Sequence, residues 1–183
     1  MFKRILTLTA TVVLCAAAAV AEASTPQEDL ELYRSFYVKR FPGGEVDEFI
    51  NGVYAIDEVA RSSWEAMEEF PPYEPAIDEG KSMWSKPFKN GKTYAGCFGK
   101  SPAVANQYPR WDKAKGMVVT LALAINQCRE ANGEEPLKYG KGKIASLLAY
   151  MAYESRGQIT DIEVPADDPR AMQAYENGKR FYF

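Results

Sequence analysis

Reactive groups are unevenly supplied in this chain. Its 183 residues include no histidine, which removes the commonest general base, the commonest metal ligand and the usual proximal ligand of haem iron. Triads and zinc sites built on imidazole are thereby excluded within this sequence. Nucleophilic or redox chemistry would fall to cysteine, of which there are three: Cys15, Cys97 and Cys128. Cys15 lies in an apolar N-terminal run and is expected to be discarded with it. In an oxidising compartment the remaining pair reads as one disulfide. The sharper alternative is a reactive thiol, and nothing around either residue marks a low-pKa site. Glu134 and Glu135 could pass for an acid–base pair, but they adjoin just past a helix end and lack a visible supporting group. Lys138, Lys141 and Lys143 could steer an anion or an acidic partner by their field; a solvated loop is the plainer reading. No catalytic, cofactor-binding or metal-ligating residue is assigned, and Cys97 and Cys128 stand as a structural pair.

Composition narrows the class. The chain is 46% hydrophobic and 26% charged, as globular proteins are, and a net charge of −3 does not argue for nucleic acid. MFKR followed by ILTLTATVVLCAAAAV has the charged and apolar segments of a Sec-type signal peptide. Ala19-Val20-Ala21 or Ala21-Glu22-Ala23 offers the cleavage site,. The expected product is an exported, periplasmic protein without a membrane anchor, in a compartment that permits disulfides.

The elements that must position the cysteines are helical. Thr25-Pro26-Gln27-Glu28 is a capping box with proline at the first helical position, and Pro42-Gly43-Gly44 stops that helix. Val53, Ile56, Ala60, Trp64 and Met67 recur at helical spacing and predict a second helix from Val53 to about Phe70. A third spans about Pro75 to Trp84. From Pro87 to Gly116 no period persists, and this turn-rich stretch carries Cys97. Val118, Leu121, Ala122 and Ile125 form the stripe of a further helix, which turns Cys128 toward the core, with Gly133 capping its end. Ile144, Leu147, Leu148 and Met151 mark another, ended by Gly157. Only ITDIEV alternates as a strand would, so the expected class is all-α. Tyr108 and Trp111 read as loop anchors over the core. The tail also repeats an earlier stretch: QAYENGKRFY lies over PAIDEGKSMW, matching Ala174 to Ala76, Gly178 to Gly80 and Lys179 to Lys81,.

GKTYAGCF, YPRWD and VVTLALAINQCREANGEEPLKYGKGKIASLLAYMAYESRG together resemble the N-terminal domain of the SoxA family, cytochrome subunits of a periplasmic thiosulfate-oxidising system. GVYAIDE, EFPPYEPAIDEGK and AYENGKRFYF extend the resemblance over most of the mature chain. It implies two cytochrome c-like domains in tandem. The first carries haem in some members and a cysteine bridge in others. The second holds the working haem c in C-x-x-C-H and a reactive cysteine. With a small cytochrome partner, SoxX, the family couples thiosulfate to a carrier-protein cysteine while electrons leave through haem, an L-cysteine S-thiosulfotransferase activity.

In the first domain's motif this chain reads CFGKS. Lys100 stands where the second attachment cysteine would be and Ser101 where the histidine would be. The resemblance therefore implies a degenerate, haem-less cytochrome c-like domain with extra N-terminal helices, in which Cys97 bridges to Cys128. The expected layout is a signal peptide over 1–23, a helical extension over 24–72, the haem-less domain over 73–166, and over 167–183 the first helix of a second cytochrome c domain. On this reading the chain stops at the threshold of its active half, and heme c belongs to the missing C-terminal domain. A stand-alone exported scaffold or docking module without catalysis is the rival.

Overall fold

The capping box forms as written. In this computed structural model, which describes residues 24–43 and 46–183, Thr25 Oγ1 accepts from the Glu28 N–H while the Glu28 carboxylate accepts from the Thr25 N–H at 2.7 Å. Two orphan donors are thus satisfied at the start of α1 (Pro26–Arg40),. The signal peptide expected over residues 1–23 lies outside the described residues.

The helix anticipated from Val53 to about Phe70 is divided. A 3-10 stretch, Val46–Ala55, breaks at Gly52, whose φ of 58° suits glycine,. Asp57 then starts α2 (Glu58–Glu68) by accepting from the Ala60 N–H at 2.9 Å. A side-chain cap within the apolar repeat outcompetes continuation of the helix. Aromatic pairs hold this region to itself: Tyr37 lies 5.4 Å from Phe49 and Tyr54 stacks on Trp64 at 5.4 Å, centroid to centroid. Neither the 3-10 stretch nor α2 buries a residue fully.

The core is built by α3 (Glu74–Ser85), α4 (Ala95–Phe98), α5 (Leu121–Ala131) and α6 (Lys143–Glu154). α3 and α6 cross at Gly80, where an added Cβ would come within 2.2 Å of the Ser146 carbonyl oxygen and 2.6 Å of Tyr150 Cβ. Only glycine permits that approach. Trp84, Ile125, Leu147 and Met151 belong to the core, the last three 0% exposed. α5 begins later than its apolar stripe suggested. Val118 pairs with Trp111 in an antiparallel hairpin of β1 (Arg110–Asp112) and β2 (Met117–Val119), and Thr120 caps the helix by accepting from the Leu123 N–H. The fold is therefore mostly helical with one hairpin, and ITDIEV forms no strand.

Asp168 and Pro169 open α7 (Pro169–Tyr182), with the Asp168 carboxylate accepting from the Arg170 N–H at 3.0 Å. Its terminal aromatics, Phe181, Tyr182 and Phe183, are exposed. Among the described residues no helix is long and apolar enough to cross a membrane.

Candidate functional site: the Cys97–Cys128 centre

Cys97 sits on α4, a single turn ended by Gly99 at φ 86°. Cys128 sits on the buried face of α5, 4% exposed. Their sulfurs are 1.99 Å apart, a disulfide that closes the stretch containing the hairpin. Cys97 itself is exposed, so the bond runs from surface to core. Asn132 Nδ2 donates to the Cys128 carbonyl at 2.8 Å and lies 3.7 Å and 3.9 Å from the two sulfurs. With their sulfurs bonded to each other, neither Cys97 nor Cys128 is available as a thiolate nucleophile or ligand,. Past the Gly99 turn, Lys100 and Ser101 are exposed, and Ser101 Oγ accepts from the Ala103 N–H.

Behind the disulfide the core is aromatic. Trp84 stacks on Tyr94 at 6.0 Å, and Phe88 meets Tyr94 edge-on at 4.8 Å. Burial pushes the Tyr94 phenol pKa up, opposed by the Arg129 guanidinium, which donates to its oxygen at 3.0 Å. Arg129 also donates to the Glu135 carbonyl at 2.8 Å and pairs with the Glu134 carboxylate at 3.6 Å. Glu134 further accepts from the Lys89 N–H at 2.9 Å. The expectation that the pair lacks support is thus corrected for Glu134 alone, whose carboxylate is held by Arg129 and the Lys89 N–H and fastens two loops, whereas Glu135 takes part only through its main-chain carbonyl. The partners come from 5 to 45 residues away in sequence, too far for spacing to show.

A second polar centre, unannounced in the sequence, lies between α1 and α7. Asp29 accepts from Ser24 Oγ, Tyr175 Oη and Lys179 Nζ, each at 2.7 Å. These bonds, Lys179's foremost, hold its carboxyl down to about 2. Burial and the neighbouring carboxylate push Tyr175 up to about 12. General acid–base work needs a pKa near the operating pH, and these groups lie far to either side. They serve to dock two helices.

Of the loop residues singled out, Trp111 donates from Nε1 to Asp168 at 2.9 Å, tying the hairpin to α7. The Arg170 guanidinium, with that indole, keeps the Asp168 carboxyl well below the usual carboxylate range. Tyr108 packs against the core beneath the Arg110 guanidinium, 4.9 Å from its ring centre. Lys138, Lys141 and Lys143 are exposed, and among the described residues no group of three or more acidic or cysteine side chains is placed to hold a metal.

Comparison with known proteins agrees with this architecture. The family described as SoxA/TsdA, cytochrome c domain, matches residues 79–159. The L-cysteine S-thiosulfotransferase subunit SoxA of Allochromatium vinosum is 59% identical over 161 residues, 88% of this chain and 57% of that protein. Its counterpart in Chlorobaculum tepidum is 47% identical over 155 residues, 85% of this chain and 54% of that protein. The crystal structure of SoxXA from P. pantotrophus superposes with a TM-score of 0.52 at 24% identity, covering 62% of this chain and 44% of that one, a likeness of fold. The chain spans about half the length of the curated relatives it matches. Over that span it belongs to the SoxA family, with residues 79–159 as its cytochrome c domain.

Proposed function

We propose that this chain supplies the haem-less N-terminal portion of an exported SoxA subunit. The subunit would work with a SoxX-like cytochrome to couple thiosulfate to a carrier-protein cysteine. Residues 24–72 form its helical extension and residues 73–166 its degenerate cytochrome c-like domain. Residues 167–183 act as the first helix of a second cytochrome c unit. The thiosulfate chemistry and the haem c that carries its electrons belong to the part of the relatives that this chain does not span.

The observation that carries this reading is the state of the attachment position. Covalent haem of the c type takes two cysteine thioethers and an axial histidine. Here the sulfur of Cys97 is already bonded to Cys128 and the two companion positions hold Lys100 and Ser101. These residues do not fit a c-type haem. The repeat of PAIDEGKSMW as QAYENGKRFY, both helical, supports reading α7 as the opening of another such unit.

The test is intact-mass spectrometry of the chain exported in a host that matures c-type cytochromes. The expected mass is that of the cleaved polypeptide less two hydrogens, with no porphyrin adduct and no c-type absorption after reduction. A haem adduct on Cys97 would overturn the reading.

A further inference from the structure

Charge is sharply segregated along this chain. Residues 24–79 hold 14 acidic and 4 basic side chains, whereas residues 80–143 hold 12 basic and 4 acidic ones. Between Gly80 and Trp111 there is no carboxylate side chain at all. A protein with net charge −3 has thus gathered 12 of its 22 cations into one portion.

The fold concentrates them further. Lys86, Lys89 and Lys92 lie on the loop after α3, Lys138 and Lys141 on the loop leading into α6, and Lys143 at the first position of α6. The first of these loops is fastened to the end of α5 through Asn90 to Asn132 at 2.9 Å and the Lys89 N–H to Glu134 at 2.9 Å. Lys86 and Lys143 line a single pocket of about 240 Å³ together with Arg129 and Tyr94. All six lysines are exposed. Among the described residues, none of the six forms an ion pair, although eight other cations of the molecule do. Glu134 also lines that pocket, but it is spent on Arg129 and the Lys89 N–H. Unpaired like charges held on adjoining loops repel one another, and a partner of opposite charge relieves that repulsion. Fields of this kind raise association rates by roughly 10 to 10³ and fade with salt, over a screening length of about 10 Å at 0.1 M.

We infer that the two lysine loops and the pocket between them form a docking surface for an acidic protein, one of whose carboxylates enters beside Lys86 and Lys143. The inference rests on charge placement alone and stands or falls separately from the haem-less reading.

Binding of the full chain to immobilised poly-L-glutamate, measured at about 20 and 200 mM ionic strength, tests it. The parent is expected to bind at low salt and to lose at least tenfold in affinity at the higher. Lys86→Glu with Lys141→Glu should weaken low-salt binding at least tenfold. Lys39→Glu with Lys81→Glu, of the same net charge, should weaken it less than threefold, and Lys86→Gln with Lys141→Gln should fall between. Each variant's thermal midpoint is checked first, and the neutral pair serves if charge reversal impairs folding. Absence of binding by the parent, or equal losses from the two reversal pairs, would refute the docking surface. Tighter binding to duplex DNA than to poly-L-glutamate would refute an acidic protein as occupant. So would salt-sensitive self-association abolished by the loop variant, since a second copy would then be what the surface takes.

Discussion

The two glycines that the internal repeat aligns sit in opposite surroundings, and alanine should act on them with opposite signs. At Gly80 a methyl group would meet the Ser146 carbonyl oxygen at 2.2 Å and the carbonyl carbon at 2.8 Å. Both are backbone atoms, so no rotamer change relieves the clash and α3 must move off α6. Overpacking of this kind costs about 1–3 kcal/mol, and with main chain as the obstacle the upper end applies. Against it, alanine gains about 1 kcal/mol over glycine in a helix interior. The net for Gly80→Ala is a loss of about 2 kcal/mol. For a chain of this size that lowers the melting temperature by roughly 4–8 °C. At Gly178, also helical, an added Cβ has no neighbour within 4 Å, so only the propensity acts. Gly178→Ala should therefore stabilise α7 by about 0.5–1 kcal/mol. Urea denaturation followed by circular dichroism, with unchanged m-values, reads both differences. A Gly80→Ala protein as stable as the parent would refute the close crossing of α3 and α6, and with it the account of why the core closes there.

Two further outcomes follow from the same structure. Cys97→Ala removes the cross-link without opening a core cavity, because Cys97 is exposed; for a sequence separation of 31 the chain-entropy account gives a loss of about 4 kcal/mol, measurable as a urea midpoint shift that the reduced parent should reproduce. Asp29 is held down to about 2 from 3.8, so its contribution is fully present above the unfolded value and is lost as pH falls from about 5 toward 2. Asp29→Asn should flatten the acid limb of the stability profile in that window, and an unaltered limb would show that the Asp29–Lys179 contact does not couple to folding.

How far the sequence revealed this structure depended on the range of the signals. Caps are local, and Thr25 and the helical stripes of α5 and α6 are readable because each signal lies within a few residues of the element it starts. The break at Asp57 falls inside the apolar period that runs from Val53 to Met67, and that period outweighs a single carboxylate in the sequence. The spacing of Val118 from Leu121 fits a helical stripe, whereas its pairing with Trp111 across the hairpin is invisible to periodicity. The cysteine pair is legible from the count together with the export expected from residues 1–23. The Asp29–Tyr175–Lys179 centre was not, since its members lie about 150 residues apart and nothing in either helix marks them as partners.

The C-terminal end of α5 links stability to recognition. Within residues 128–135, Cys128 carries the disulfide, Arg129 binds Tyr94 and Glu134, Asn132 reaches Asn90, and Glu134 receives the Lys89 N–H. A small domain has little core to hold such loops in place, and here the loops are tied to a helix that is itself tied to the core. The lysines are thereby presented from fixed backbone, so a partner meeting them need not order the loops as it binds, and less of its interaction energy is lost to that ordering. The same bonds that offset the lack of a large core make the cationic face a pre-formed one. Loosening Asn132 should then weaken acidic-partner binding even though its side chain carries no charge.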